Sequence, residues 1–200
     1  MNAIRAMTIA RSELILGGQK SGKSRRAELL ARLWLDQSGD HRAVLIATAQ
    51  PWDDEMRQRV ARHQADRAQR VPGMATVEEP LALAQVIAEH SHADTLVVVD
   101  CLTLWLTNLL MPADAVVSDG EVPVALDSAS CIASLLIAID KAPGPVVLVG
   151  NEIGLGVIPM GREVRAFVDA LGRLNQNVAG ICQRVTLMAA GLPLTLKDVS

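Results

Sequence analysis

Residues 17 to 24 read Gly17-Gly18-Gln19-Lys20-Ser21-Gly22-Lys23-Ser24, directly after the apolar run Leu14-Ile15-Leu16. Spaced glycines let the backbone curl until successive N–H groups point inward, the geometry that cradles phosphate oxygens. A lysine at the seventh position reaches the β- and γ-phosphates, and the hydroxyl that follows ligates Mg²⁺. From Arg25 onward the spacing is helical, so a helix N-terminus adds its dipole behind the anion. All eight residues are candidates for binding a nucleoside triphosphate, with Ser24 also a metal ligand.

Downstream, Leu96-Val97-Val98-Val99-Asp100 is an apolar strand ending in a carboxylate. Beside a phosphate loop, Asp100 reads as the acidic partner of Ser24 in holding Mg²⁺; taken alone, the same Asp reads as turn chemistry. The stretch 53–70 is unusual in another way, with Arg57, Arg59, Arg62, Arg67 and Arg70 surrounding His63. Its residue pattern is that of a solvated basic helix carrying an incidental histidine. The sharper reading is a nucleophile among guanidiniums, since a neutral imidazole can attack phosphorus while arginines stabilise the triphosphate. Asn151 and Glu152 follow the run Val146 to Val149, where turn chemistry and a substrate role stand equally.

These groups need a scaffold, and the chain alternates short apolar runs with helical patterns. Strands are expected at 13–16, 43–48, 95–100, 145–149 and 184–189. Helices are expected at 24–36, 53–67, 79–91, 101–111, 127–140 and 160–181. That alternation argues for an α/β fold with a mostly parallel, doubly wound sheet flanked by helices. Ligands collect at the carboxyl ends of strands in such sheets, where the glycine loop, Ala47-Thr48-Ala49-Gln50, Asp100 and Gly150-Asn151-Glu152 all fall. Residues 1–12 read as an N-terminal extension, 13–200 as a single domain, and 112–126 as a surface excursion.

Composition narrows the function. Half of the 200 residues are hydrophobic and a fifth are charged, which fits a globular chain with a sizeable core. A formal charge of −3, three Trp, one Phe and no Tyr give no basis for nucleic-acid binding by charge or base stacking. Cys101, Cys131 and Cys182 are too widely spaced for a metal knot or disulfide framework. No apolar stretch is long enough to span a bilayer, so the expected location is cytoplasmic.

Taken together, the motifs resemble the bifunctional adenosylcobinamide kinase / adenosylcobinamide-phosphate guanylyltransferase family. They are the Gly17–Ser24 loop, Ile46-Ala47-Thr48-Ala49-Gln50, Asp53-Asp54-Glu55-Met56 leading to His63, and Thr76-Val77-Glu78-Glu79-Pro80. Asp100-Cys101-Leu102-Thr103-Leu104-Trp105-Leu106-Thr107-Asn108-Leu109-Leu110, Asn151 through Pro159, and Gly172 with Asn175-Gln176 complete the series. The resemblance implies a RecA-like P-loop fold and two reactions. ATP or GTP phosphorylates adenosylcobinamide, and GTP then gives GMP to adenosylcobinamide phosphate through a covalent guanylyl-histidine. By the same matching His63 is the guanylylated residue. Gly17–Ser24, Ala47, Thr48, Ala49, Gln64, Ala65, Asp66, Arg67, Glu78 and Asp100 are implied GTP contacts, with Mg²⁺ as the metal and a homotrimer as the assembly. The chain departs from the family pattern in three places. Arg67-Ala68 replaces an Arg-Pro pair, the stretch 68–75 is a few residues longer and lacks a tryptophan, and Gly150 stands where Ser or Thr is usual.

Overall fold

The computed structural model describes residues 8–50, 54–111, 127–157 and 159–199; within the helix that follows residue 53, the side chains of Glu55, Met56, Arg59, Val60 and His63 also lie outside the description. The excursion expected at 112–126 and the extension through residue 7 fall outside the described residues.

Seven strands form one sheet: β1 (Ser12–Gly17), β2 (Arg42–Ala47), β3 (Ala75–Glu78), β4 (Thr95–Asp100), β5 (Val146–Val149), β6 (Arg184–Ala189) and β7 (Leu192–Asp198), in the order β3-β2-β4-β5-β1-β6-β7. Only β6 and β7 pair antiparallel; the other neighbours are parallel. The helices are α1 (Lys23–Leu35), α2 (Asp54–Arg70), α3 (Leu83–His90), α4 (Leu102–Leu110), α5 (Ser128–Lys141) and α6 (Arg162–Ile181). All five strands and six helices expected from the sequence are present, with shifted ends.

Two strands, β3 and β7, have no counterpart in the sequence reading. Both lie on the edges of the sheet. β3 has four residues and no buried side chain, so it carries no apolar run, while β7 turns Leu192, Leu194 and Leu196 outward. Edge strands covered on one side at most lack the continuous apolar signature of central ones.

The central strands are apolar on both faces because both faces are covered. Leu14, Leu16, Ile46, Val97, Val99, Val146 and Leu148 meet α3, α4, α5 and α6 through Leu83, Ile87, Trp105, Leu106, Leu135, Leu171 and Leu174. On the opposite face, Ile15, Leu45, Val98, Val147 and Val149 meet Ala27, Leu30 and Ala31 of α1.

One buried carboxylate interrupts this apolar frame. Glu13, 1% exposed on β1, accepts from Arg26 of α1 at 2.8 Å and from the Thr186 hydroxyl of β6 at 2.8 Å. Arg184 lies 3.7 Å from its second oxygen. The charge is tolerable only because it is paired on several sides, and it ties β1, α1 and β6 together beneath the glycine loop. Glu13→Ala would leave Arg26 without its partner and is expected to lose about 3–5 kcal/mol of stability, read from urea unfolding. A loss below about 1 kcal/mol, the scale of a surface pair, would contradict this role.

Candidate active site

β1 ends at Gly17, and the chain curls through residues 18–22 before α1 begins at Lys23. The curl needs glycine for reasons of space. A Cβ on Gly17 would lie 2.5 Å from both the Met188 carbonyl and Ser21 Oγ, and one on Gly22 would lie 3.3 Å from Gly191 Cα. Gly22, at φ 102°, is in the left-handed region, and so is Lys20 at φ 54°. Gly22 offers α1 no side-chain cap, so the first-turn amides are left for an external acceptor.

Neighbouring loops fix the curl. The Gly191 amide at the β6–β7 turn donates to the Ser21 carbonyl at 3.0 Å, and the Glu152 amide after β5 donates to the Gly17 carbonyl at 3.1 Å. The turn at Ala190 and Gly191, with φ of 51° and 80°, suits a tight hairpin. Its support of the loop was not anticipated from sequence; the Ala190-Gly191 pair directly after β6 is the signal that could have shown it.

Lys23 is buried, and its ammonium donates to the Gly18 carbonyl at 2.7 Å. Burial draws its pKa below the ordinary lysine value, while Cys101 and Asp100 oppose that shift. Asp100 therefore lies within electrostatic reach of Lys23, although β5 separates β4, which ends at Asp100, from β1, which leads to the loop before Lys23. Two strand spacings amount to about 10 Å, room for phosphate oxygens and a hydrated cation between the loop and Asp100. Arg67, near the end of α2, is lowered by burial and raised by Asp100 and Glu28, so it faces the same region. Cys101 is no competitor for the chemistry: burial, then Asp100, push its thiol up to about 11, keeping it neutral.

The donor set suits Mg²⁺. Among the described residues no cluster of three or more His, Cys, Asp or Glu could enclose a metal. A half-buried hydroxyl, Ser24, and a half-buried carboxylate, Asp100, are what Mg²⁺ takes when phosphate oxygens and water complete its shell.

The remaining expected contacts divide into two groups. Ala47 ends β2 beside Asp100 and Thr48 and Ala49 follow it, but the Thr48 side chain is engaged within the protein. Fully buried, it donates to the Cys101 carbonyl at 2.7 Å and accepts from the Cys101 amide at 2.9 Å. Asn108 Nδ2 then holds the Thr48 and Pro80 carbonyls at 2.8 and 3.1 Å. Glu78 ends β3 and accepts from Gln64 of α2 at 3.1 Å. Glu79, by contrast, closes the turn that leads into α3 by accepting from the Leu81 and Ala82 amides. Asp66 and the buried Glu28 both pair with Arg70, which anchors the end of α2 on α1. Ala65 is exposed. His63 lies on α2 one residue before Gln64; its side chain is outside the description.

This layout agrees with what the chain is similar to. The family described as cobinamide kinase / cobinamide phosphate guanyltransferase matches residues 13–196. The chain belongs to that family. It is 47% identical to the bifunctional adenosylcobalamin biosynthesis protein CobP of Pseudomonas aeruginosa, over 92% of this chain and 96% of the relative. It is 36% identical to the bifunctional adenosylcobalamin biosynthesis protein CobU of Escherichia coli, over 92% and 98%. Among solved structures, the flagellar accessory protein FlaH of Methanocaldococcus jannaschii superposes with a TM-score of 0.51 at 11% identity, covering 97% of this chain and 81% of that one. That likeness concerns the fold alone, a mostly parallel sheet flanked by helices. In this family member, then, the glycine loop and Asp100 sit on a nucleotide-binding scaffold.

Gly17→Ala tests the cradle. The added methyl must displace backbone, so affinity for GTP is expected to fall at least about tenfold, roughly 1.4 kcal/mol, by titration calorimetry. Unchanged affinity would contradict the geometry.

Proposed function

We propose that this chain phosphorylates adenosylcobinamide and then guanylylates the product, using one triphosphate cradle for both steps. The observation that carries the reading is the convergence of the Gly17–Ser24 amides, Lys23, Asp100 and Arg67 on one space, in a chain of this family.

In the first step the hydroxyl of adenosylcobinamide attacks the γ-phosphorus of ATP or GTP, the γ-phosphorus–oxygen bond breaks, and a nucleoside diphosphate leaves. Loop amides and the Lys23 ammonium hold the negative oxygens in place and offset charge as it shifts to the leaving group. Mg²⁺, held by Ser24 and Asp100, supplies further charge neutralisation when bound. In the second step an imidazole nitrogen of His63 attacks the α-phosphorus of GTP and pyrophosphate leaves. The phosphate of adenosylcobinamide phosphate then attacks that phosphorus, the P–N bond breaks, and adenosylcobinamide-GDP is released with His63 regenerated. Arg67, whose guanidinium feels the charge of Asp100, is assigned to the triphosphate in this reading, one turn of α2 beyond His63. Ala47, Thr48, Ala49, Gln64, Ala65, Asp66 and Glu78 complete the GTP contacts, through main chain where the side chain is already engaged.

Residues 13–200 act as one catalytic unit in this reading. No described helix is long and apolar enough to cross a membrane, and the reading places the enzyme in the cytoplasm. It also takes the assembly to be a homotrimer, supported by the outward Leu192, Leu194 and Leu196 on edge strand β7, apolar surface that a monomer would leave in water.

Incubation with α-labelled GTP is expected to leave an acid-labile, alkali-stable label on the protein. His63→Ala should abolish it while retaining phosphorylation of adenosylcobinamide. Label persisting on that variant would sink His63 as the nucleophile.

A further inference from the structure

The loop from Gly150 to Gly161 is held firmly at both ends yet presents apolar side chains to water. At its start, Glu152 is bonded to Gly17 through its amide, the Asn151 amide donates to Thr103 Oγ1 at 2.9 Å, and Asn175 Nδ2 donates to the Asn151 carbonyl at 3.1 Å. The Glu152 carboxylate folds back onto the Gly154 amide at 2.8 Å. At its far end, Arg165 of α6 donates to the Pro159 carbonyl at 3.0 Å and to that of Met160. Between these brackets Leu155 is 81% exposed, Val157 96% and Met160 96%, with Ile153 and Val164 of α6 also open to solvent.

An anchored loop that keeps large apolar side chains in water marks a binding surface more often than chance exposure. Its position chooses the occupant. It springs from the carboxyl end of β5, the strand lying between β1 and β4, and it is hydrogen-bonded to the first residue of the phosphate cradle. Whatever covers it lies beside the Gly17–Ser24 cradle. The acceptor of the first reaction is a wide, flat macrocycle with apolar faces, carrying its reactive hydroxyl on a short arm. Resting on the proposed function, we infer that Ile153, Leu155, Val157 and Met160 form the platform on which the corrin ring of adenosylcobinamide lies, so that its arm reaches the triphosphate over Gly17–Ser24. The loop's polar brackets keep this platform at a fixed height relative to the cradle, so the loop sets position as well as affinity.

The test replaces the platform without touching the cradle. Leu155→Asp and Val157→Asp alter side chains that make no buried contact, so the fold is retained. The KM for adenosylcobinamide is expected to rise about tenfold or more in each, and equilibrium dialysis with cobinamide should show the same loss. Labelling of the variants by α-labelled GTP, which needs no corrinoid, should match the parent protein, and Leu155→Met should keep the parent KM. Three results would overturn the platform: an unchanged KM, an equal loss of GTP labelling, or a smaller assembly by sedimentation, which would make the loop a contact between copies. If the parent protein itself neither binds nor phosphorylates cobinamide, the proposed function fails, and the platform with it; if the parent is active and the variants equal it, only the platform fails.

Discussion

The conformation of the Gly17–Ser24 turn depends on main chain packed against main chain. Gly17 has no room for a methyl because the Met188 carbonyl and Ser21 Oγ already occupy it, and Gly22 is held at φ 102° in close contact with Gly191. The Gly191 amide fastens Ser21, the Glu152 amide fastens Gly17, and Lys23 closes across to Gly18. A cradle of amides works only if those amides keep their directions when charge arrives, since reorienting them would consume the stabilisation they offer. The parallel sheet supplies that rigidity. β5 and β6 flank β1, and the loop or turn that leaves each of them reaches back to the cradle.

Charge follows from the same placement. Lys23 is buried enough to lose some of its affinity for the proton, yet Asp100 and Arg67 share its surroundings. Cys101, next to Asp100, stays a neutral thiol and serves instead as the α4 cap, accepting from the Leu104 amide at 3.5 Å. Beneath the turn, Glu13 joins Arg26 and Thr186, fixing the helix that begins at Lys23. Buried Glu13 and Lys23 flank this loop, the buried Glu28 holds Arg70 at the end of α2, and the helices α1, α3, α4, α5 and α6 meet the sheet through apolar contacts.

Much of this was legible in the chain because its signals are local. A strand, two spaced glycines, a lysine, a hydroxyl and a helix occupy consecutive residues, and Asp100 closes an apolar run. The five central strands announce themselves by continuous apolar character. What sequence could not disclose is contact between distant segments. Thr48 reads as a site residue from its position, but its hydroxyl is engaged by Cys101, 53 residues away. Glu78 and Glu79 are neighbours in one motif, yet Glu79 closes the turn before α3 while Glu78 turns to Gln64. β3 and β7 escaped because an edge strand need not be apolar on both faces. His63 is the opposite case: residue pattern alone favours an incidental histidine on a basic helix, and the resemblance to a guanylylating family reverses that weight.

The central claim is that one cradle presents the triphosphate for attack at either of two phosphorus atoms. Lys23→Ala removes the cation that both attacks would share, together with its bond to Gly18, and leaves the Gly191 and Glu152 bonds to the turn. Parallel assays of adenosylcobinamide phosphorylation and of enzyme labelling by α-labelled GTP on that variant test it directly. Both activities are expected to fall together, by about a hundredfold or more, the scale of losing one preorganised charge contact. Loss of phosphorylation with labelling intact would place the two reactions in separate sites and contradict the account.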